Sequence, residues 1–262
     1  VTNKAIPAAT ILLLRDQPAF EVLMIERHEN IGFAGGALVF PGGRIDEGDN
    51  DPAWAGRVSG FAAIAEDQRA PRIGAVREAF EETGILLAYS DKSEAYLDDE
   101  YVRSLGKWRK IVEDDDAKFL ELIEGENLTL ACDQLHLYAR WAPPEAARHR
   151  RFDTWFFAAK APAGQEARED GNEATEAFWT SPLAALEARD LGKRKMIFPT
   201  SRNVELLNVS DNADGAITFA GERTIERVQP EVIDRDGKKF VTIPDHLGYP
   251  ITEEPLETAF RT

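Results

Sequence analysis

The first hundred residues read as two apolar stretches, a glycine-rich loop and one helical pattern. Ile6 to Leu14 is almost continuously apolar and predicts a strand; Phe20 to Glu26 predicts a second, with Arg15 to Ala19 turning between them. Gly32 to Phe40 predicts a short strand that runs into Pro41-Gly42-Gly43, a loop whose backbone can approach a ligand closely. Asp46 to Pro71 is mixed and polar, with Pro52, Gly56 and Gly60, and is expected to be a surface excursion. From Pro71, placed at a first-turn position, Ile73, Val76 and Phe80 recur at helical spacing and Gly84 supplies the stop. Tyr101, Leu105, Trp108 and Val112 form a second helical stripe, and after the acidic run Asp114 to Asp116 a short helix carries Phe119, Leu120 and Ile123, so a helical hairpin is expected as an insertion.

Strands resume at Leu135 to Trp141, Phe152 to Ala159 and Ala174 to Thr180, followed by helices at Pro182 to Arg189 and near Asn203 to Leu207. Asp236-Gly237, between Val232-Ile233 and Phe240-Val241, predicts a hairpin over Glu231 to Pro244. Strands and helices mix without a regular β-α-β rhythm, which predicts an α+β fold with a mixed sheet.

Composition narrows the function classes. The 262 residues are 43% hydrophobic and 30% charged, enough for one sizeable core with no low-complexity bias. Ala8 to Leu14 is broken by Thr10 and ends at Arg15, short of the ~18 apolar residues of a membrane span, and no signal-peptide pattern is found. One cysteine, Cys132, excludes an internal disulfide and a cysteine-based zinc cluster. The expectation is a cytoplasmic protein with no membrane partner. A formal charge of −16 disfavours nucleic acid, whose affinity rests on Lys and Arg neutralising phosphates. A small anionic substrate then requires cations or a bound metal inside the site.

The segment Arg77 to Ile85 supplies such a place. At 100° per residue Glu78, Glu81 and Glu82 share one helix face, opposite Ile73, Val76, Phe80 and Thr83. Three like charges this close repel, and a hard cation that prefers oxygen donors, Mg²⁺ or Mn²⁺, removes the conflict. The three are expected to converge on a solvent-accessible cleft, with the Gly42 carbonyl beside them and Arg77 holding Glu81 at i, i+4.

Gly42 to Asp49 together with Arg77 to Gly84 resembles the Nudix box, Gly-x5-Glu-x7-Arg-Glu-x-x-Glu-Glu-x-Gly. Arg77, Glu78, Glu81, Glu82 and Gly84 match its second half and Gly43 its first glycine. Asp49 stands where the pattern has its first glutamate, and residues 50–76 separate it from Arg77 where the pattern has seven positions. The resemblance implies a single domain over 1–262, a mixed-sheet α/β/α sandwich with an insertion at about 50–70, a helical insertion at about 92–131 and a C-terminal extension at about 210–262 that carries the hairpin. It implies Glu78, Glu81, Glu82 and the Gly42 carbonyl as metal ligands, and Glu78, Glu81 and Arg77 as catalytic residues of a diphosphohydrolase.

The interrupted box, the helical segment, and the stretches RRFDTWFF and EATEAFWTSPLAALE are similar to the long-insert peroxisomal coenzyme A diphosphohydrolase group, over residues 6 to 209. That implies coenzyme A or an acyl-coenzyme A as substrate, with ADP-ribose or another nucleotide diphosphate as the alternative. Gly36 and Phe40-Pro41-Gly42-Gly43 fit that group's signature; the arginine expected four residues before Gly36 is Gly32, and Arg27 lies nine before. Arg27, Arg44 and Arg151, the last from the basic run Arg148 to Arg151, are the substrate-binding candidates. Lys193, Arg194 and Lys195 are a second basic run, and Glu173 and Glu176 the candidate general bases outside the box. Trp155 and Trp179 are read as core, and His28 and His136 as structural. A non-catalytic, nucleotide-sensing Nudix module would have lost its box carboxylates; all three are present. The expected partners are a small nucleotide diphosphate and a second copy in a homodimer.

Overall fold

The computed structural model describes residues 5–29, 34–91, 93, 95–143, 152–172 and 174–259. In chain order the first elements are β1 (Ile6–Arg15), β2 (Glu21–Arg27), β3 (Leu38–Val39), β4 (Gly42–Arg44), α1 (Glu66–Thr83) and β5 (Ala88–Ser90). The middle of the chain forms α2 (Asp99–Ser104), α3 (Lys107–Asp114), α4 (Ala117–Gly125), β6 (Leu128–Leu130), β7 (His136–Trp141), β8 (Phe152–Lys160) and β9 (Ala174–Thr180). The last part adds α5 (Pro182–Asp190), α6 (Phe198–Leu207), α7 (Ala213–Glu222), β10 (Arg227–Val228), β11 (Glu231–Arg235), β12 (Lys238–Thr242), β13 (Glu253–Pro255) and α8 (Leu256–Ala259).

The main sheet is mixed, in the order β10-β7-β8-β1-β2-β3, with β4 paired to β1 and β9 to β2. β1 lies at its centre, parallel to β8 and antiparallel to β2 and β4. Both faces of β1 are covered, which is why its sequence is an apolar run rather than an alternation. Ala9, Ile11 and Leu13 pack with Phe157, Ile73, Val76, Phe80 and the α4 residues Phe119, Leu122 and Ile123. Leu12 and Leu14 point the other way, into a core with Phe156, Tyr138, Phe198, Val204 and the small α7 residues Ala213, Ala216 and Ala220. This is the expected α+β sandwich.

Three local expectations change. Helix α1 starts at Glu66, and Pro71 sits inside it. Glu66 and Asp67 in the first turn favour that start, and the proline removes only one early backbone hydrogen bond. The stretch after Asp46 is not merely a surface excursion: Trp54, Val58 and Ile64 are buried in the principal core, Trp54 against Phe119 at a ring separation of 5.6 Å. The stripe from Tyr101 to Val112 is split into α2 and α3 by Leu105-Gly106, and Tyr101 is exposed. Glycine is a poor helix former at such a junction. The hairpin forms as expected, β11 against β12 across Asp236 (φ 55°) and Gly237 (φ 81°).

Candidate metal and catalytic site

The carboxylate-bearing half of α1 is held on three sides. Its C-terminus is closed by Gly84 in the left-handed region, whose N–H donates to the Phe80 carbonyl at 2.9 Å. Strand β4, hydrogen-bonded to β1 through Ala8–Thr10, lies against its acidic face. The turn Gly48–Asn50 closes the third side and brings Asp49 to Arg77.

Arg77 is the hub. Its Nε donates to Asp49 Oδ1 at 2.9 Å and its Nη2 to Asp49 Oδ2 at 3.0 Å, while Nη1 donates to Glu81 Oε1 at 2.8 Å and Glu78 Oε1 at 3.2 Å. Nη2 also reaches the Arg44 carbonyl at 2.9 Å and Asp46 Oδ2 at 3.3 Å. The expected Arg77–Glu81 pair is therefore present. The paired Asp49, 2% exposed, acts as the bidentate anchor of Arg77 across the interruption in the box.

The acidic residues are buried, at 8% exposure for Glu78, 9% for Glu81 and 3% for Glu82, where an open cleft was expected. The reason is the cover supplied by β4 and by the Asp49 turn. Glu78 packs on Gly43 so closely that a Cβ there would lie 2.4 Å from its Oε1, so any larger residue would displace the carboxylate. Gly42 meets the cluster through its N–H, which donates to Glu82 Oε2 at 2.7 Å. Among the described residues, no three acidic, histidine or cysteine side chains are already drawn together as a metal-ligand set: Arg77 holds Glu78 and Glu81, and Gly42 holds Glu82.

Burial dominates the electrostatics. It pushes the Glu78 carboxyl well above the ordinary range and Glu81 up to about 7, against the lowering influence of Arg77. Asp49 is also raised, by burial first. Burial alone would weaken the Arg77 charge, but Glu78, Asp49 and Glu81 more than offset it and hold the guanidinium charged. Three buried carboxylates, Asp49, Glu78 and Glu81, pair with the buried guanidinium of Arg77, and the buried Glu82 is held by the Gly42 N–H; the five side chains together carry a net charge of −3 when all are ionised.

Other candidates lie elsewhere or are engaged. Arg44 ends β4, with its side chain 63% exposed and its Nε 4.0 Å from Asp46. Arg27 ends β2, where its backbone bonds Ala37 and Gly36. Arg151, the whole run Arg148 to Arg151, Glu173 and Gly32 fall outside the described residues. Glu176 is paired with Arg194 at 2.7 Å, and Arg194 also pairs with Glu26. Lys195 lies beside Ala37, its carbonyl accepting from Leu38 N–H. Trp155 is buried and stacked on Phe157, as core; Trp179 is half-buried beneath Arg15. His136 is a half-buried strand residue whose pKa burial lowers.

Sequence reasoning missed Asp49 as partner of Arg77, Arg109 on α3, and Asp116, whose Oδ2 accepts from Gly48 N–H at 2.5 Å. No periodicity marks contacts made across tens of residues.

Residues 58–200 match the family described as NUDT19 Nudix domain, more than half of the chain. The chain belongs to the NUDT19 Nudix-domain family. It is 28% identical over 225 residues to acyl-coenzyme A diphosphatase NUDT19 of Xenopus laevis, covering 71% of this chain and 59% of that protein. To the Homo sapiens protein of the same name it is 30% identical over 215 residues, covering 66% and 57%. The chain thus spans 57–62% of the length of the curated relatives it matches. A solved NUDIX hydrolase from Alicyclobacillus acidocaldarius superposes with a TM-score of 0.68 at 25% identity, covering 86% of this chain and 99% of that one.

Nudix hydrolases use divalent metal ions, and the chemistry of this Nudix site fits one. Its donors are hard carboxylate oxygens, its uncompensated charge is negative, and Gly43 leaves room for Glu78 against the β4 backbone. No helix is long and apolar enough to cross a membrane among the described residues.

Proposed function

We propose that this chain hydrolyses the diphosphate linkage of coenzyme A or an acyl-coenzyme A, with Mg²⁺ or Mn²⁺ held by Glu78, Glu81 and Glu82. The observation that carries the reading is the burial of Glu78, Glu81 and Glu82 on one half of α1 against β4, with Asp49 and Arg77 paired beside them. The names of the relatives supply the substrate class.

A bound divalent ion supplies a nucleophilic water at neutral pH and neutralises charge on the diphosphate. The chain's own residues do the rest. Asp49 fixes Arg77, and Arg77 fixes the carboxylates of Glu78 and Glu81 at 3.2 and 2.8 Å. Gly42 N–H orients Glu82, and Gly43 keeps the β4 backbone close to Glu78. The burial that raises the Glu78 and Glu81 pKa values makes cation binding compete with protonation, so activity should rise with pH through neutrality.

The test is turnover of a panel of diphosphates with Mg²⁺ and with Mn²⁺, with products identified by mass spectrometry. Coenzyme A should give 3',5'-ADP and 4'-phosphopantetheine. AMP and ribose 5-phosphate from ADP-ribose, with coenzyme A untouched, would replace the substrate assignment; no metal-dependent turnover of any member would end the enzymatic one.

A further inference from the structure

The peptide bond joining Glu81 to Glu82 is gripped from outside the box. Arg109, on α3, donates through Nε to the Glu81 carbonyl at 2.9 Å. The same guanidinium donates through Nη2 to the Arg168 carbonyl at 2.9 Å and through Nη1 to the Glu169 carbonyl at 3.4 Å. Next to it, the Arg168 N–H donates to the Thr83 carbonyl at 2.7 Å. The last-turn carbonyls of Phe80, Glu81 and Thr83 are thus taken by Gly84, Arg109 and Arg168 in turn. The guanidinium packs on the left-handed Gly84, where a Cβ would make an ordinary contact with Arg109 Nη1 at 3.5 Å.

The anchor behind Arg109 is itself fixed. The Arg168 side chain forms a two-pronged pair with Asp99 of α2, at 2.9 and 2.8 Å, and Asp99 also accepts the Glu166 N–H at 3.0 Å. On the far side of the cluster, Asp116, just before α4, holds Gly48 beside Asp49. The α2–α4 segment therefore touches both halves of the interrupted box.

We infer that Arg109 is a positioning residue: by holding the Glu81–Glu82 peptide to the 168–169 backbone, it sets the height of two carboxylates against β4. A guanidinium suits the task because one planar fork serves the helix end and two loop carbonyls together. A cation there also suits the negative end of α1. Displacement of catalytic groups by about 1 Å can cost about 100-fold in rate. The inference rests on the metal-site reading above, but its primary readout does not require turnover.

The experiment compares wild type, Arg109→Gln and Arg109→Lys by Mn²⁺ titration followed by electron paramagnetic resonance, then by turnover at saturating substrate. Arg109→Gln should raise the Mn²⁺ midpoint by about 10-fold or more and lower kcat by about 10- to 100-fold, with KM for the diphosphate within about 2-fold. Arg109→Lys keeps the charge and stem but not the fork, and should shift the same two quantities by about 3- to 10-fold. A residue that merely braces the helix end would lower the melting temperature and leave the Mn²⁺ midpoint unchanged. That outcome in folded Arg109→Gln overturns the inference, and if Arg109→Gln does not fold, an unchanged midpoint in Arg109→Lys does so. A wild-type protein that binds no Mn²⁺ removes the metal-site reading instead, whereas binding without turnover leaves the Arg109 comparison intact and removes only the substrate assignment.

Discussion

Replacing Arg77 by Ala removes the cation that pairs with three buried carboxylates. In the structure its guanidinium, 3% exposed, bonds both oxygens of Asp49 and one each of Glu78 and Glu81, at 2.8 to 3.2 Å. Removing one partner of a buried ion pair typically costs 3 to 5 kcal/mol, because the remaining charge is left uncompensated. With three acids stranded, a loss of about 4 kcal/mol is expected in metal-free protein at pH 8. In a chain of this size that corresponds to about 8 to 16 °C in melting temperature. The sign with pH follows from the raised carboxyls. Glu81 titrates at about 7 in the folded protein against 4.5 as a free group, and Glu78 and Asp49 are raised as well. A group raised on folding contributes stability that is full below its unfolded pKa and lost as pH rises through the folded value. Arg77 opposes these rises, so the variant carries them further: its deficit should be largest at pH 8 and shrink towards pH 5. Urea unfolding followed by circular dichroism in chelator, at pH 8 and pH 5.5, measures this. A variant within 1 kcal/mol of wild type at pH 8, or one with the greater deficit at pH 5.5, would refute the account of Arg77 as the charge hub.

Glu82→Gln keeps an acceptor for the Gly42 N–H but loses the charge that binds a cation; turnover should fall about 100-fold or more, with the metal-free melting temperature unchanged or slightly raised. Gly43→Ala and Gly42→Ala should separate function from stability. The first places a Cβ 2.4 Å from Glu78 Oε1, a movable side-chain end, and should lower turnover more than stability. The second places one 2.5 Å from the Ala9 backbone carbonyl and should lower the yield of folded protein, seen by size exclusion and thermal melting. Trp54→Ala should cost about 3 to 5 kcal/mol by thermal unfolding, since its side chain is buried on Phe119 and donates to the Gly48 carbonyl at 2.9 Å; a loss below 1 kcal/mol would return the stretch after Asp46 to the status of a surface excursion.

Much of the framework was written locally. The apolar runs of β1 and β2, the stop at Gly84 and the Asp236-Gly237 turn each depend on a residue's own backbone preference or on spacing along one element. The box residues were legible for the same reason: Arg77, Glu78, Glu81 and Glu82 lie within two helical turns, and the Arg77–Glu81 contact is a property of i, i+4 geometry. What the local pattern could not state is what covers a face. Helical spacing puts three carboxylates together, but only the packing of β4 and the Asp49 turn decides that they are buried. The same holds for Pro71, which reads as a helix start and lies inside α1, and for Trp54, which reads as part of a polar excursion and lies in the core. Asp49 meets Arg77 across residues 50–76, and Arg109 meets Glu81 from a helix whose own periodicity records only its apolar side. Polar contacts of this kind depend on the relative placement of separate elements, which is set by how their apolar faces fill the shared core, and so they appear only in the tertiary structure.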